Sequence, residues 1–333
     1  MPAEWEKQEG IWISWPEDEG TFPDLRQVEL AYAEIIRSVC PHETIHLLVR
    51  DSSIAEYVKG IVPDMKIWQD NLKFHLTDYA DVWFRDYGPT FVIQREEHVL
   101  AMVDWTFNAW GNKYPDLLDD DNIPLRINKE IGIPRFIPGI VMEGGSIDVN
   151  GCGTVLTTEQ CLLNPNRNSN LDKPGIEWYL EEYLGCSHVV WLKEGIAGDD
   201  TDGHVDDIAR FVNGTTVLCA LEENPDDENY ASLLENYHIL KRATDQDGKP
   251  ITVIPIPMPG ETGDDTRLPA SYANFLITNK VVLLPTFHHS NDRIAATILE
   301  GVFPGREVIG IDCRAMVRGL GTLHCISQQQ PKP

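Results

Sequence analysis

One structural unit recurs along this chain of 333 residues. "SIDVNGCGTVLTT" has two alternating runs around Asn150-Gly151, and "IARFVNGTTVLCAL" has them around Asn213-Gly214. Asn-Gly between such runs signals a β-hairpin, because both turn residues are expected at positive φ. "NFLITNKVVLLPTF" has the same form, turning at Asn279-Lys280, and "PTFVIQREEHVLAMVDW" reads as a hairpin with a longer tip. Helical patterns follow in "LDKPGIEWYLEEYLG", "DDENYASLLENYHILKRA" and "SNDRIAATILEGVF", the last with Ser290 or Asn291 as its cap. Short strands come next: "HVVWL", "ITVIPIP" and "EVIGID". Before these units lie "GIWISWP", an amphipathic helix near residues 25–39, and "TIHLLVR". Self-similarity at such a period points to a ring or array of four or five hairpin–helix–strand units, with residues 1–333 as a single domain. Residues at the same place in each unit then meet near the pseudo-axis.

That expectation makes the mouths of the hairpins the place to look for chemistry. Before the first stands "DVWFRDYGP", with Arg85 and Asp86. Before the second stands "VMEGGS", with Glu143, and entering the third is "GDDTDGHVDD", with His204 and Asp206. "GLGTLHCISQQQP" carries His324 and Cys325. Each residue alone has a plain structural reading: Cys325 as packing, His204 as a solvated loop residue, Asp86 as a salt-bridge partner of Arg85. Glu143-Gly144-Gly145 reads equally as a turn that uses glycine's backbone freedom. If His204 and Asp206 lie on a strand, their spacing of two puts both on one face. Taken together, an acid, an acid, a His/Asp pair and a cysteine are predicted to converge on one pocket.

Two carboxylates facing one point suit a planar cation with a fork of N–H donors, and a guanidinium has that shape. A thiolate above its carbon is a competent nucleophile, and an imidazole can protonate the departing nitrogen and then activate water. A further carboxylate orients the imidazole. Thiol ionisation needs help, from a nearby imidazolium or from a cationic substrate.

Composition narrows the partners. The formal net charge is -26, with 27 basic and 53 acidic residues, which opposes nucleic-acid binding and raises the local concentration of a small cation. Solubility alone is the other reading of that charge. No run approaches the ~18 apolar residues of a membrane span. "MPAEWEKQEG" has no apolar leader core, so a cytoplasmic protein is expected. Seven cysteines, an odd number without CxxC, point away from a disulfide framework or zinc ribbon. Cys40, Cys161 and Cys219 read as buried packing. The acidic 198–207 loop does not fit an EF-hand, and "FHHSND" lacks metal-ligand spacing, so no metal or other cofactor is expected. The oligomeric state stays open, a homo-oligomer included.

"WFRDYGPTF", "EGGS", "GHVDD" and "HCISQQQP", in this order, resemble the guanidine-modifying superfamily. The nearest branch is the agmatine deiminase and bacterial-type peptidylarginine deiminase family. The likeness runs from "MPAEWEKQEGIWISWP" through "WTFNAWGNKYP" and "SYANFLITN" to "HCISQQQP". It implies a five-bladed α/β propeller of pentein type. It implies Cys325 as nucleophile, His204 as general acid and base, Glu143 orienting His204, and Asp86 and Asp206 gripping the guanidinium. Gly321 and His324 would shape the nucleophile loop, and Trp83 and Trp110 would line the pocket.

Two positions depart from the family pattern: Leu320 stands in "GLGTLHC" where the middle of a Gly triplet is usual, and Tyr87 where Thr or Ile is common. Both are expected near the substrate's tail. The reaction implied is agmatine to N-carbamoylputrescine and ammonia. Peptidyl-arginine or free arginine deimination, amidino transfer, non-catalytic polyamine or arginine binding, and metal-dependent hydrolysis are the alternatives.

Overall fold

A computed structural model describes residues 1–62, 69–260 and 267–333. Sixteen strands occur among these residues. They are β1 (Gln8–Ser14), β2 (Thr44–Val49), β3 (Leu72–Leu76), β4 (Thr90–Gln94), β5 (Val99–Val103), β6 (Arg135–Phe136), β7 (Asp148–Val149) and β8 (Thr154–Thr158), followed by β9 (His188–Leu192), β10 (Ala209–Asn213), β11 (Thr216–Leu221), β12 (Thr252–Pro257), β13 (Leu276–Ile277), β14 (Val281–Thr286), β15 (Glu307–Asp312) and β16 (Ser327–Pro331). They form five sheets: β16-β1-β2-β3, β4-β5-β6, β7-β8-β9, β10-β11-β12 and β13-β14-β15.

Each three-stranded sheet repeats one connection. An antiparallel hairpin is followed by a helix and then a strand parallel to the hairpin's second member. The helices are amphipathic and locally encoded. Over Leu25–Val39, Val28, Tyr32, Ile35, Ile36 and Val39 face the core, and the carboxylate of Asp24 caps the first turn. The helix Lys173–Leu184 starts at Asp172, which accepts the Gly175 N–H, and stops at Gly185, whose φ of 70° is left-handed.

Hydrogen bonds link the inner strands and the turns before them around the circle. Arg85 Nη1 donates to Gln329 of β16 at 2.7 Å, and Gly145 N–H donates to Asp86 at 3.1 Å. Phe211 N–H donates to Asp148 at 2.8 Å, and Arg210 Nη1 to the Phe275 carbonyl at 2.9 Å. Asn279 and Gln8 exchange two bonds, at 2.9 and 3.0 Å. Residues more than 300 apart then close the ring, because β16 pairs antiparallel with β1. The ring of repeated units read from the sequence, and the five-bladed α/β propeller that the family resemblance implied, are therefore the observed fold.

Three local expectations are corrected. Gly151 has positive φ, whereas Asn150, Asn213 and Gly214 do not. The β10–β11 turn runs through Gly214–Thr215, and the β7–β8 turn is longer than two residues. Asn291 does stand before its helix, but its amide donates to the Met258 carbonyl at 2.8 Å instead of capping. No helix among the described residues is long and apolar enough to cross a membrane.

β1 contributes Ile11, Trp12 and Ile13, all with no exposure, to the core that β16 helps cover. A buried aliphatic side chain contributes about 1.5–3 kcal/mol. A chain stopped after Ile326 should therefore lose cooperative thermal unfolding by circular dichroism. A melting curve like that of the intact chain would show that the closing pair is dispensable.

Candidate active site

Four of the five inner strands are preceded by a short turn that holds a polar group against the axis. These turns are Phe84–Tyr87 before β4, Gly144–Ser146 before β7, Val205–Asp207 before β10, and residues 322–326 before β16. Asn274, just before β13, occupies the equivalent place in the remaining unit.

At the centre lies the Cys325 thiol, 8 % exposed. Asn274 Nδ2 donates to its sulfur at 3.1 Å, and Asp206 Oδ2 is 4.0 Å away. Asn274 also donates to Asp207 at 3.0 Å and accepts from Thr322 Oγ1 and from the backbone N–H of His324, at 2.7 and 3.0 Å. One amide thus clamps the loop that carries the sulfur. Sequence reasoning missed it, although its place in the repeat was the available signal.

His204 lies behind Asp86, with Nδ1 3.7 Å from Asp86 Oδ1. Glu143 and Cys161 lie against the same imidazole, one ligand atom from each of the three residues being within 4.8 Å of the others. His204 Nε2 and Glu143 Oε2 meet no hydrogen-bond partner among the described residues. Glu143 Oε1 accepts from Arg167 Nε at 2.6 Å, and Arg167 Nη1 donates to Asp202 at 2.6 Å. Arg167 therefore ties Glu143 to the loop that leads into His204. Cys161, expected as packing, is buried directly against this imidazole.

His204 and Asp206 do come together, over Gly145 and behind the residues that line the cavity, but for a different reason from the one expected. Residues 205–207 form a single 3₁₀ turn, so no strand alternation applies. The Gly pair is also explained differently, since neither glycine has positive φ. A Cβ on Gly145 would lie 2.5 Å from His204 Nδ1, 2.9 Å from Asp86 Oδ1 and 3.1 Å from Asp206 Oδ2, and one on Gly144 would lie 2.3 Å from the Arg85 carbonyl. Close approach excludes a side chain here. These contacts, with the 4.0 Å from Asp206 to the sulfur, hold Sγ and the imidazole within a nanometre of each other.

Asp86, Cys325, Trp83, Trp110 and Leu320 line a cavity of about 480 Å³, whose outer wall includes Asp18, Asp116, Lys113, Tyr114, Asp200 and Arg318. Trp110 Nε1 donates to Asp86 Oδ2 at 3.0 Å, and Trp83 Nε1 to Asp81 at 3.2 Å. Gly321 lets Trp83 pack against the nucleophile loop, where an added Cβ would meet the indole at 2.4 Å. Leu320 has φ 73°, a left-handed conformation that costs a leucine about 1–2 kcal/mol and a glycine nothing comparable. Tyr87 is the second departure, and it does not reach the cavity. It is 2 % exposed, and its hydroxyl bonds Ser14 at 2.7 Å and the Asp81 carbonyl at 2.8 Å.

Burial, then the carboxylates of Asp206, Asp207 and Asp86, push the Cys325 thiol well above its ordinary value. Burial pulls the His204 imidazole down, yet Asp86, Cys161 and Glu143 raise it well above the usual histidine range. Asp86 is pushed up to about 6 by burial, with His204 opposing and Asp206 and Glu143 adding repulsion. Burial also raises Asp206, but the N–H and charge of His324 bring it below the ordinary carboxylate range. These shifts favour a neutral thiol and a charged imidazole.

Known proteins share this architecture over the whole chain. The family model for Porphyromonas-type peptidyl-arginine deiminase matches residues 1–331. Agmatine deiminase of Medicago truncatula is 37% identical, covering 99% of this chain and 96% of its own. That of Ectopseudomonas mendocina is 36% identical, covering 100% and 95%. The solved agmatine deiminase of Enterococcus faecalis superposes with a TM-score of 0.92 at 32% identity, covering 100% of this chain and 95% of its own. With a match of that extent, the chain belongs to the Porphyromonas-type peptidyl-arginine deiminase family.

Proposed function

We propose that the protein hydrolyses the guanidinium group of agmatine to give N-carbamoylputrescine and ammonia, with Cys325 as nucleophile. The observation that carries the reading is the meeting of one thiol, one imidazole and carboxylates with unengaged oxygens at the axis of a five-sheet ring. Kinship over the full chain with proteins named agmatine deiminase supports the substrate class.

In this reading Asp86 and Asp206 take the guanidinium N–H groups as charge-assisted bonds. The cation offsets the carboxylates that keep the thiol protonated, so the thiol gives its proton to solvent and thiolate forms as substrate binds. Sγ attacks the guanidinium carbon, and the C–N bond to the departing nitrogen breaks. His204, already charged, gives that nitrogen its proton, and ammonia leaves. The neutral imidazole then removes a proton from water as the water attacks the S-alkylthiouronium carbon. The C–S bond breaks, and the carbamoyl product and free thiol result. Glu143, anchored by Arg167, supports the charged imidazole throughout.

The outer wall favours a cationic tail, since Asp18, Asp116 and Asp200 line it and Lys113 is engaged by Asp202 at 2.8 Å. The net charge of -26 acts in the same direction. Arg318 lines the same wall and is the feature an arginine α-carboxylate would meet, which is the observation favouring arginine as a second substrate.

Ammonia release should be fastest with agmatine, slower with arginine or an arginine-containing peptide, and lost in Cys325→Ser. A peptide-only activity would move the assignment to peptidyl-arginine, and undiminished Cys325→Ser would remove covalent catalysis. The KM for agmatine should be flat at neutral pH and rise as pH falls through about 6, because protonated Asp86 no longer pairs with the cation. An acid limb absent from KM would take Asp86 out of binding. Gly145→Ala should retain the fold by circular dichroism while losing on the order of 10²-fold in kcat, since its methyl must displace His204, Asp86 or Asp206.

A further inference from the structure

The two oxygens of Asp206 are used differently. Oδ2 accepts from His324 Nδ1 at 2.6 Å, while Oδ1 has no hydrogen-bond partner among the described residues. The second nitrogen of His324, Nε2, meets Glu4 Oε2 at 3.1 Å. Both ring nitrogens therefore face carboxylate oxygens. A neutral imidazole has one N–H and sets a lone pair against the other anion, whereas an imidazolium donates to both.

Glu4 belongs to the segment before β1, yet it is buried near the pseudo-axis, 5 % exposed. Its Oε1 accepts the N–H of Ile277 in β13 at 2.6 Å, and its Oε2 also pairs with Arg210 of β10. Arg210 is held in turn by Asp148 of β7 at 2.5 Å and lies over the Phe275 ring at 4.8 Å. Arg85 donates to the backbone carbonyl of His324 at 3.3 Å. The charged groups around His324 are thus Asp206 and Glu4 in contact, with Arg210, Asp148 and Arg85 behind them. Cys325, whose sulfur is 4.0 Å from Asp206, lines the cavity, and Asp206, Glu4, His324 and Arg210 stand behind that lining.

We propose that Glu4 and His324 are positioning residues for Asp206. Glu4 holds His324 as an imidazolium, and His324 fixes Asp206 as an anion with one oxygen occupied and the other left for the guanidinium. The inference rests on the reading that Asp206 grips the substrate. Its physical need is local: Asp206 shares a dry site with Asp86 and Asp207, and like charges at such range drive one of them to take up a proton. An imidazolium bonded to Asp206, and not itself part of the cavity lining, prevents this. Asp206 is the one of these three whose titration lies below the usual carboxylate range.

The test compares wild type with Glu4→Gln, which keeps the shape and an acceptor for the Ile277 N–H but removes the charge. The KM for agmatine should exceed the wild-type value by about tenfold for each pH unit below the point where Asp206 now titrates, with kcat falling less. The acid rise in KM should move to higher pH, a displacement that loss of packing alone does not cause. Wild-type KM and an unmoved pH profile in a folded Glu4→Gln overturn the inference. Should Glu4→Gln fail to fold, nitrogen-15 spectra of histidine-labelled wild type decide it. Both ring nitrogens of His324 must carry protons at the pH of maximal activity, and a neutral ring overturns the proposal. Loss of the functional reading itself would appear elsewhere, as a wild type that releases no ammonia from any guanidinium compound or a fully active Cys325→Ser.

Discussion

Negative oxygens crowd the axis of this protein. Glu4, Asp86, Glu143, Asp206 and Asp207 are all buried there, and the rest of the site is arranged around their repulsion. Burying a carboxylate costs several kcal/mol unless it is paired or hydrogen-bonded. Each one has its own answer: Arg167 for Glu143, His324 for Asp206, Arg210 for Glu4, Asn274 for Asp207, and Trp110 with the Gly145 amide for Asp86. Asp207 and Asp86 both rely on neutral donors, and Asp86, which lines the cavity, has the imidazole of His204 at 3.7 Å. It is the carboxylate of the cavity wall most in want of a cation, and it faces the space a guanidinium would fill.

The same crowding accounts for the protonation states. Asp86 raises both Cys325 and His204, with Asp206 and Asp207 adding to the first and Glu143 to the second, which favours thiol plus imidazolium. In the proposed reaction the substrate's own charge tips that balance. Reactivity then depends on occupancy, and an unliganded pocket presents a poor nucleophile to stray electrophiles.

Much of this was legible beforehand, because the information lies in periodicity. Alternating runs located the hairpins, the Leu25–Val39 helix was readable in full, and the strands "HVVWL", "ITVIPIP" and "EVIGID" fall where their apolar residues put them. Cys325, His204, Glu143, Asp86 and Asp206 followed from their places in the repeat. What escaped was set by approach between distant segments. Glu4 lies in "MPAEWEKQEG", a stretch that reads as polar surface until the ring closes over it. Arg167 and Cys161 carry no local pattern, and their roles arise only from what they touch. The glycines of "EGGS" look like a flexible turn because one-dimensional reading cannot see the imidazole that passes within 2.5 Å of where a Cβ would be. Tyr87 was expected near the substrate because it adjoins Asp86, but the short helical turn points the two side chains apart.

The pairing of β1 with β16 also orders events in time. During synthesis the first four inner turns can be made and packed while the sulfur-bearing loop is still being added. Glu4 and Gln8 must wait, since their partners at His324, Ile277 and Asn279 lie hundreds of residues downstream. Contacts of such sequence separation form slowly, because a long loop must close before they are rewarded. A nascent chain thus carries its thiol into a nearly complete ring, and catalytic competence arrives in the same step that seals the architecture.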